Sequence, residues 1–287
     1  MIAISVVIPV YNAQQYIRQC LDSILSQTFA IIEYEVVCVD DGSTDKTNQI
    51  LTEYALKYPN VVVISQKHLG QGPARNAGVA KAKGQYIKFV DADDMLHSNA
   101  LKVLYDLALV HHADIVVCRA FCMDEKSEQF SLLSMLNHLS GYYAIEDIKN
   151  LDFFNHACSP VLWDKLISAD IAKKCPSPSL RRGQDFVALL SYLSICRSIY
   201  FTEERLYYYR HHQHSVMAEL ESRYTIITDS MTEKAALIIL KEHFANTKAY
   251  AHYCDRIKRE WEERILKNQD LLTEEDVIEI KEIIRLF

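Results

Sequence analysis

Of the 287 residues, 49% are apolar, enough to bury a core without disulfides or metals. A formal net charge of −7, with no basic run, leaves no electrostatic footprint for the phosphates of a long nucleic acid. Eight cysteines are scattered without a Cys-x-x-Cys pair, which points to small core residues in a reducing compartment and to no zinc site.

The stretch Ile2 to Val10 is apolar but has no charged leader and carries Pro9, so it reads as neither a signal peptide nor a spanning helix. The expectation is a cytoplasmic chain, with peripheral contact at the cytoplasmic face of the inner membrane left open. Ile4 to Val10 is a short, nearly continuous apolar run, as in a strand buried on both faces of a parallel sheet. After it, Tyr16, Ile17, Cys20, Leu21, Ile24 and Leu25 fall on one face of an amphipathic helix. The pattern repeats with a strand at Tyr34 to Val39, a helix opened by Ser43 or Thr44 and running towards Tyr58, and a strand at Val61 to Ser65. Pro73 suits a first helical turn and Gly84 a helix end, so Gly72 to Lys83 predicts a helix leading into a strand at Tyr86 to Val90. A helix at Asn99 to Val110 and a strand at Asp114 to Cys118 follow.

Such alternation implies right-handed crossovers and an α/β fold, a doubly wound, mostly parallel sheet flanked by helices. Ligands of such sheets sit at the carboxyl ends of the strands. From about Met217 the chain turns charged and helical in period, with Ile226, Ile227, Met231, Ala235 and Leu237, then Trp261, Ile265 and Leu266. The expected division is a ligand-binding α/β domain over 1–215 and a helical C-terminal extension over 216–287. That extension is free to dimerise the chain, pack on the core, or bring Lys258, Arg259 and Lys267 to an anionic membrane.

Two strand ends carry the chemistry. Asp40 and Asp41 close the second strand before a tight turn, where a carboxylate accepts from a base N–H or shapes the turn. Asp91, Asp93 and Asp94 end the fourth strand and share a small volume, so their repulsion calls for a cation. Oxygen ligands of this kind suit Mg²⁺ or Mn²⁺, which also holds the two phosphates of a nucleotide.

Val6-Val-Ile-Pro-Val-Tyr-Asn12, Val39-Asp-Asp-Gly-Ser-Thr-Asp45, Gly70-Gln-Gly-Pro-Ala-Arg-Asn-Ala-Gly78 and Phe89-Val-Asp-Ala-Asp-Asp94 together resemble the family 2 glycosyltransferases of the GT-A fold, of the bacterial surface-polysaccharide or lipopolysaccharide type. The likeness is dense over about the first 120 residues and thins through Ser159 to Leu166, Gly183-Gln-Asp185 and Leu206-Tyr-Tyr-Tyr-Arg210. It implies an inverting transfer from a nucleotide-sugar donor, with a UDP-sugar favoured, onto a hydroxyl of a glycan or lipid-linked glycan. Carried over by residue, Pro9, Tyr11 and Asn12 line the nucleotide pocket, Asp40 or Asp41 meets the uracil ring, and Arg75 and Asn76 support the pocket. Asp93 is the metal ligand; Asp91 is nearer the ribose or bound through water, Ala92 lies between them, and Asp94 bears on the sugar hydroxyls. Asp185 is the base that takes the acceptor's proton. One departure is Gln184, where the family usually has Glu before that Asp.

Tyr207 to Ser215 collects aromatics, Arg210 and three imidazoles, so it suits a lid over the donor phosphates, with His211 and His214 the candidates to complete the metal shell. Trp163 suits either a sugar platform or the core. Two other readings stay open: a catalytically silent binding or assembly module, raised by Gln184 and the tail, and a sugar nucleotidyltransferase. The latter normally wants a Gly-rich basic loop after the first strand, where this chain has Tyr11-Asn-Ala-Gln.

Overall fold

The computed structural model describes residues 1–124, 130–133, 139–149, 159–212 and 222–286. The first half alternates as expected: β1 (Ile4–Val10), α1 (Ile17–Leu25), β2 (Tyr34–Asp40), α2 (Thr47–Lys57), β3 (Val61–Ser65), α3 (Gln71–Lys81) and β4 (Tyr86–Phe89). Then come β5 (Met95–Leu96), α4 (Ala100–Val110), β6 (Ile115–Asp124), β7 (Phe130–Leu132), β8 (Gly141–Ala144) and α5 (Ile145–Lys149). β9 (Lys165–Ser168), α6 (Ala169–Lys174), α7 (Gln184–Ile195) and the long β10 (Ser198–His211) complete the sheet. Helices α8 (Arg223–Phe244), α9 (Lys248–Lys267) and α10 (Glu274–Ile284) end the described chain. None of the described helices is long and apolar enough to cross a membrane.

The strands run in the order β3-β2-β1-β4-β9-β6-β10-β5, with β7 on β6 and β8 on β10. β3, β2, β1 and β4 are mutually parallel, as are β6 and β10, while β9 joins the two blocks antiparallel to both neighbours. Strand alternation divides the core between the two faces. Val6, Ile8 and Val10 pack with α1, α2 and α4; Val7, Val37, Val39 and Phe89 pack with α3 and α7. Gly78 lets α3 lie against the sheet, since a Cβ there would meet Val7 Cγ1 at 2.4 Å and Val39 Cγ2 at 3.3 Å. That close approach carries Arg75, one turn earlier, to the carboxyl ends of β1 and β4.

Two expectations about local structure need correction. α2 starts at Thr47 and not at Ser43 or Thr44, because those residues are engaged by the neighbouring loop: Asn12 N donates to Ser43 Oγ at 3.0 Å and Thr44 N donates to Asn12 Oδ1 at 2.8 Å. Asp45 takes over the cap-like bond, accepting from Thr47 N at 2.9 Å. Tyr207 to His211 is no lid: it is the end of β10, paired with β6 throughout and with β5 at Tyr207 and Tyr208. The domain boundary drawn at 215 falls outside the described residues.

The C-terminal helices pack back on the sheet's α7 side. Ile226, Ala236, Leu240 and Phe244 of α8 and Tyr253, Ile257 and Trp261 of α9 belong to the same apolar cluster as Val187, Leu190 and Phe89. Within this layer Tyr253 Oη donates to Glu233, whose carboxyl is pushed up to about 6 by burial, against the opposing pull of Tyr253 and Arg256. Its folded value lies above the ordinary 4.5, so the stability it contributes at low pH is lost as pH rises through about 6. Glu233→Gln keeps an acceptor for Tyr253 and removes that loss. Urea unfolding of wild type and variant at pH 4.5 and 7.5 should show the variant gaining on the order of 1 kcal/mol relative to wild type at the higher pH.

Candidate active site

The acidic motif ends β4 in a turn closed by Asp94 N donating to Asp91 O at 3.1 Å. Its three carboxylates diverge. Asp94 turns inward, 1% exposed, accepting from Tyr207 Oη at 2.7 Å and from Arg210 N at 2.7 Å. This corrects the expectation that Asp94 meets the sugar hydroxyls, since it ties the motif to β10 instead. Burial pushes its carboxyl well above the carboxylate range, and Asp93 and Asp91 add to the shift. Tyr207 Oη also accepts from Asp91 N at 3.1 Å, so one hydroxyl holds both ends of the turn.

Asp93 faces outward, with its side chain 35% exposed and Oδ2 at 2.8 Å from His212 Nε2. Its carbonyl accepts from Arg210 Nε at 2.7 Å. His211, the sequence candidate, is exposed on the other side of the strand, because side chains alternate: Arg210 and His212 are buried and His211 is not. Counting by two from the inward Arg210 would have selected His212. His214 lies outside the described residues.

Asp91 is the meeting point. Its Oδ1 accepts from Gln71 Nε2 at 3.0 Å and from Arg75 Nη2 at 3.3 Å. Burial pushes its carboxyl up to about 7, Arg75 opposes the shift, and Asp185 and Asp93 add to it. Arg75 is 1% exposed and lies between two carboxylates: Nη1 donates to Asp185 Oδ1, and Nη2 lies 3.3 Å from Asp185 Oδ2. Asp185 Oδ2 also accepts from Leu162 N at 3.2 Å. Arg75 thus gathers Asp91 and Asp185 into one cleft. Gln184 meets the Gln71 amide at 2.6 Å, so a neutral group stands where a Glu would add another carboxylate beside Asp91 and Asp185.

At the β1 and β2 ends, Pro9 is buried within β1, and Tyr11 stays 45% exposed with its ring stacked on His68 at 4.0 Å between centroids. Asn12 adopts φ +48° and bridges to the Ser43 and Thr44 turn. Asp40 accepts from Ser43 N at 3.0 Å and Asn48 Nδ2 at 2.7 Å. Asp41 accepts from Gln66 Nε2 at 2.6 Å, Leu69 N at 3.0 Å and Gly70 N at 2.8 Å, and pairs with His68 Nδ1 at 2.8 Å. Both carboxylates are therefore buried shapers of the loops around Tyr11. Asn76 does not reach this cleft; its amide exchanges two hydrogen bonds with the Ser177 backbone, at 2.8 and 2.7 Å. Ala92 sits partly exposed between Asp91 and Asp93.

Support comes from below. Trp163 is 4% exposed and stacked on Tyr207 at 4.4 Å and on Tyr209 at 5.7 Å, so it belongs to the core. The fully buried Lys88 donates to Trp163 O and lies 5.2 Å from the Tyr207 ring centroid, with burial drawing its ammonium below the usual range.

This arrangement can be set beside known proteins. The profile of Glycosyl transferase family 2 matches residues 5–164. The chain belongs to that family. Its relatives include the glycosyltransferase GlyG of Streptococcus pneumoniae, 31% identical over 220 residues that cover 75% of this chain and 72% of GlyG. A poly(ribitol-phosphate) beta-glucosyltransferase of Bacillus spizizenii is 47% identical over 116 residues, 40% of this family 2 chain and 18% of that much longer protein. Among solved structures, Staphylococcus aureus TarS 1–349 in complex with UDP-GlcNAc superposes with a TM-score of 0.72 at 21% identity, covering 88% of this chain and 70% of that one. The superposition shows a shared GT-A fold, and this chain carries three C-terminal helices.

Tyr207→Phe should leave Asp94 Oδ2 and Asp91 N without their shared hydroxyl. The expected cost is about 1–3 kcal/mol in urea unfolding, the penalty of unpaired buried polar groups.

Proposed function

We propose that this chain transfers a sugar from a UDP-sugar to a hydroxyl of a bacterial surface glycan or its lipid-linked precursor, with inversion and with dependence on Mn²⁺ or Mg²⁺. The observation that carries the reading is Arg75 drawing Asp185 to the side of the Asp91-Ala-Asp93 motif. A base for the acceptor and an acidic site for the donor phosphates thereby share one cleft. Family membership, and relatives whose names specify glycosyl transfer onto poly(ribitol-phosphate), favour the same reaction class.

The donor's base would stack at Tyr11, beside Asp41. The half-exposed phenol ring already stacks on the His68 imidazole, whose Nδ1 lies 2.8 Å from Asp41, and this supports a site for a flat heterocycle such as uracil once His68 swings aside. Pro9, near the end of β1, and Asn12, with φ +48°, lie on either side of Tyr11 in the chain.

The donor set suits a hard divalent ion. Among the described residues no group of three or more His, Cys, Asp or Glu is placed to hold a metal, yet Asp93 and His212 stand 2.8 Å apart. Two protein ligands are what such an ion takes when diphosphate oxygens and water supply the rest. Asp93 and His212 would hold it, with Asp91 beside them bound through water or turned to the ribose. When bound, the cation neutralises charge on the departing diphosphate.

The protein's own part is orientation and proton transfer. Arg75 and Leu162 N fix the Asp185 carboxylate, leaving it to accept the proton of an acceptor hydroxyl as that oxygen attacks the anomeric carbon in line. A positioned base of this kind contributes about 10²- to 10⁴-fold in rate.

Two variants separate donor binding from chemistry. With UDP and Mn²⁺, wild type should gain thermal stability that a chelator removes, and Asp93→Ala should lose that gain. Asp185→Asn should keep it yet release UDP from a panel of UDP-sugars about 10²-fold more slowly or worse. Full turnover in Asp185→Asn moves the base elsewhere, and a chain that ignores every nucleotide sugar with and without Mn²⁺ is a silent module.

A further inference from the structure

Asp185 is the second residue of α7, and the backbone that delivers it is held from two sides. On the sheet side, Asn76 of α3 grips Ser177 through two hydrogen bonds. On the other side stands α8 of the C-terminal extension, which lies along α7. Thr232 Oγ1 donates to Arg182 O at 2.7 Å. Gly183, the N-cap of α7, adopts φ +68°, and a Cβ there would sit 2.4 Å from Thr232 Cγ2. One α8 residue therefore contacts both positions that set the direction of α7.

A second helix braces the first. Asp229, one turn before Thr232, pairs with Arg182 Nε at 3.5 Å and with Arg264 of α9 at 2.8 Å. Phe186, directly after Asp185, packs on Tyr253 of α9 with ring centroids 5.7 Å apart. Residues Arg182, Gly183 and Phe186, which flank Gln184 and Asp185, each rest on α8 or α9.

We infer that the C-terminal helices are a buttress for the base, with Thr232 as the positioning residue that fixes Arg182 and Gly183 and through them the Asp185 carboxylate. This rests on Asp185 acting as the base. The donor site is built from other parts, the ends of β1, β2, β4 and β10, so the extension acts on turnover and not on donor affinity. A misplacement of about 1 Å at a reacting group is enough to cost about 10²-fold.

The test uses the full chain. UDP release is followed from UDP-glucose and from UDP-N-acetylglucosamine with Mn²⁺ and water as acceptor, for wild type, Thr232→Val, Thr232→Ser and Asp185→Asn. Thr232→Val, which keeps the shape and loses the hydroxyl, should lower kcat at least 10-fold with donor KM within twofold, and Thr232→Ser should restore it. Hydrogen exchange, which needs no turnover, should show residues 182–187 opening about 10-fold faster in Thr232→Val, with residues 86–96 unchanged. A role confined to overall stability would instead raise exchange in both segments and leave kcat of the folded protein intact, which overturns the inference. Unchanged exchange at 182–187 overturns it too, whatever the turnover. If Asp185→Asn keeps full turnover the base reading fails; if Asp185→Asn is inactive while Thr232→Val is fully active, the buttress alone fails.

Discussion

A guanidinium buried between two carboxylates is the constraint around which this protein is arranged. Arg75 is 1% exposed, and a cation taken that far from water is tolerated only with close anionic partners. Asp91 and Asp185 supply them from distant parts of the chain. Each partner then has its own requirement. Asp91 must sit at the end of β4, which needs the Tyr207 hydroxyl under the turn, and Asp185 must enter α7 through the left-handed Gly183. Even the small residue at Gly78 follows from this, since α3 has to approach β1 closely for Arg75 to arrive between them.

The acidic motif shows how one run of like charges is given separate tasks by environment. Asp94 is buried and hydrogen-bonded to β10, Asp91 is shared with Arg75 and Gln71, and Asp93 alone is turned out beside His212. Gln184 belongs to the same balance. Its neutral amide meets Gln71, which in turn donates to Asp91, so the departure from the usual acidic residue relieves a cleft already crowded with carboxylates.

The last three helices share an apolar cluster with α7 and the sheet, and they close over the face on which α3 and α7 lie. Their packing residues and their polar anchors serve different ends. Leu240, Phe244 and Trp261 bury surface, while Asp229 and Thr232 address the backbone just ahead of Gln184 and Asp185.

The alternation of strands and helices, the parallel start of the sheet and the acidic ends of β2 and β4 were legible in the amino-acid order, because those features depend on local periodicity and on residues adjacent in the chain. Asp91, Asp93 and Asp185 were legible as candidates through their motifs, and the fold brings Asp91 and Asp185 together on Arg75. The inward turn of Asp94, the pairing of Asp93 with His212, the diversion of Asn76 to Ser177 and the packing of Trp163 on Tyr207 were not. Each depends on which partner a side chain meets across the fold, and β10 decides most of them by inserting between β6 and β5 and presenting alternate residues to the motif. Local order names the candidate groups; long-range packing in a medium that punishes every unpaired charge decides which of them face the cleft.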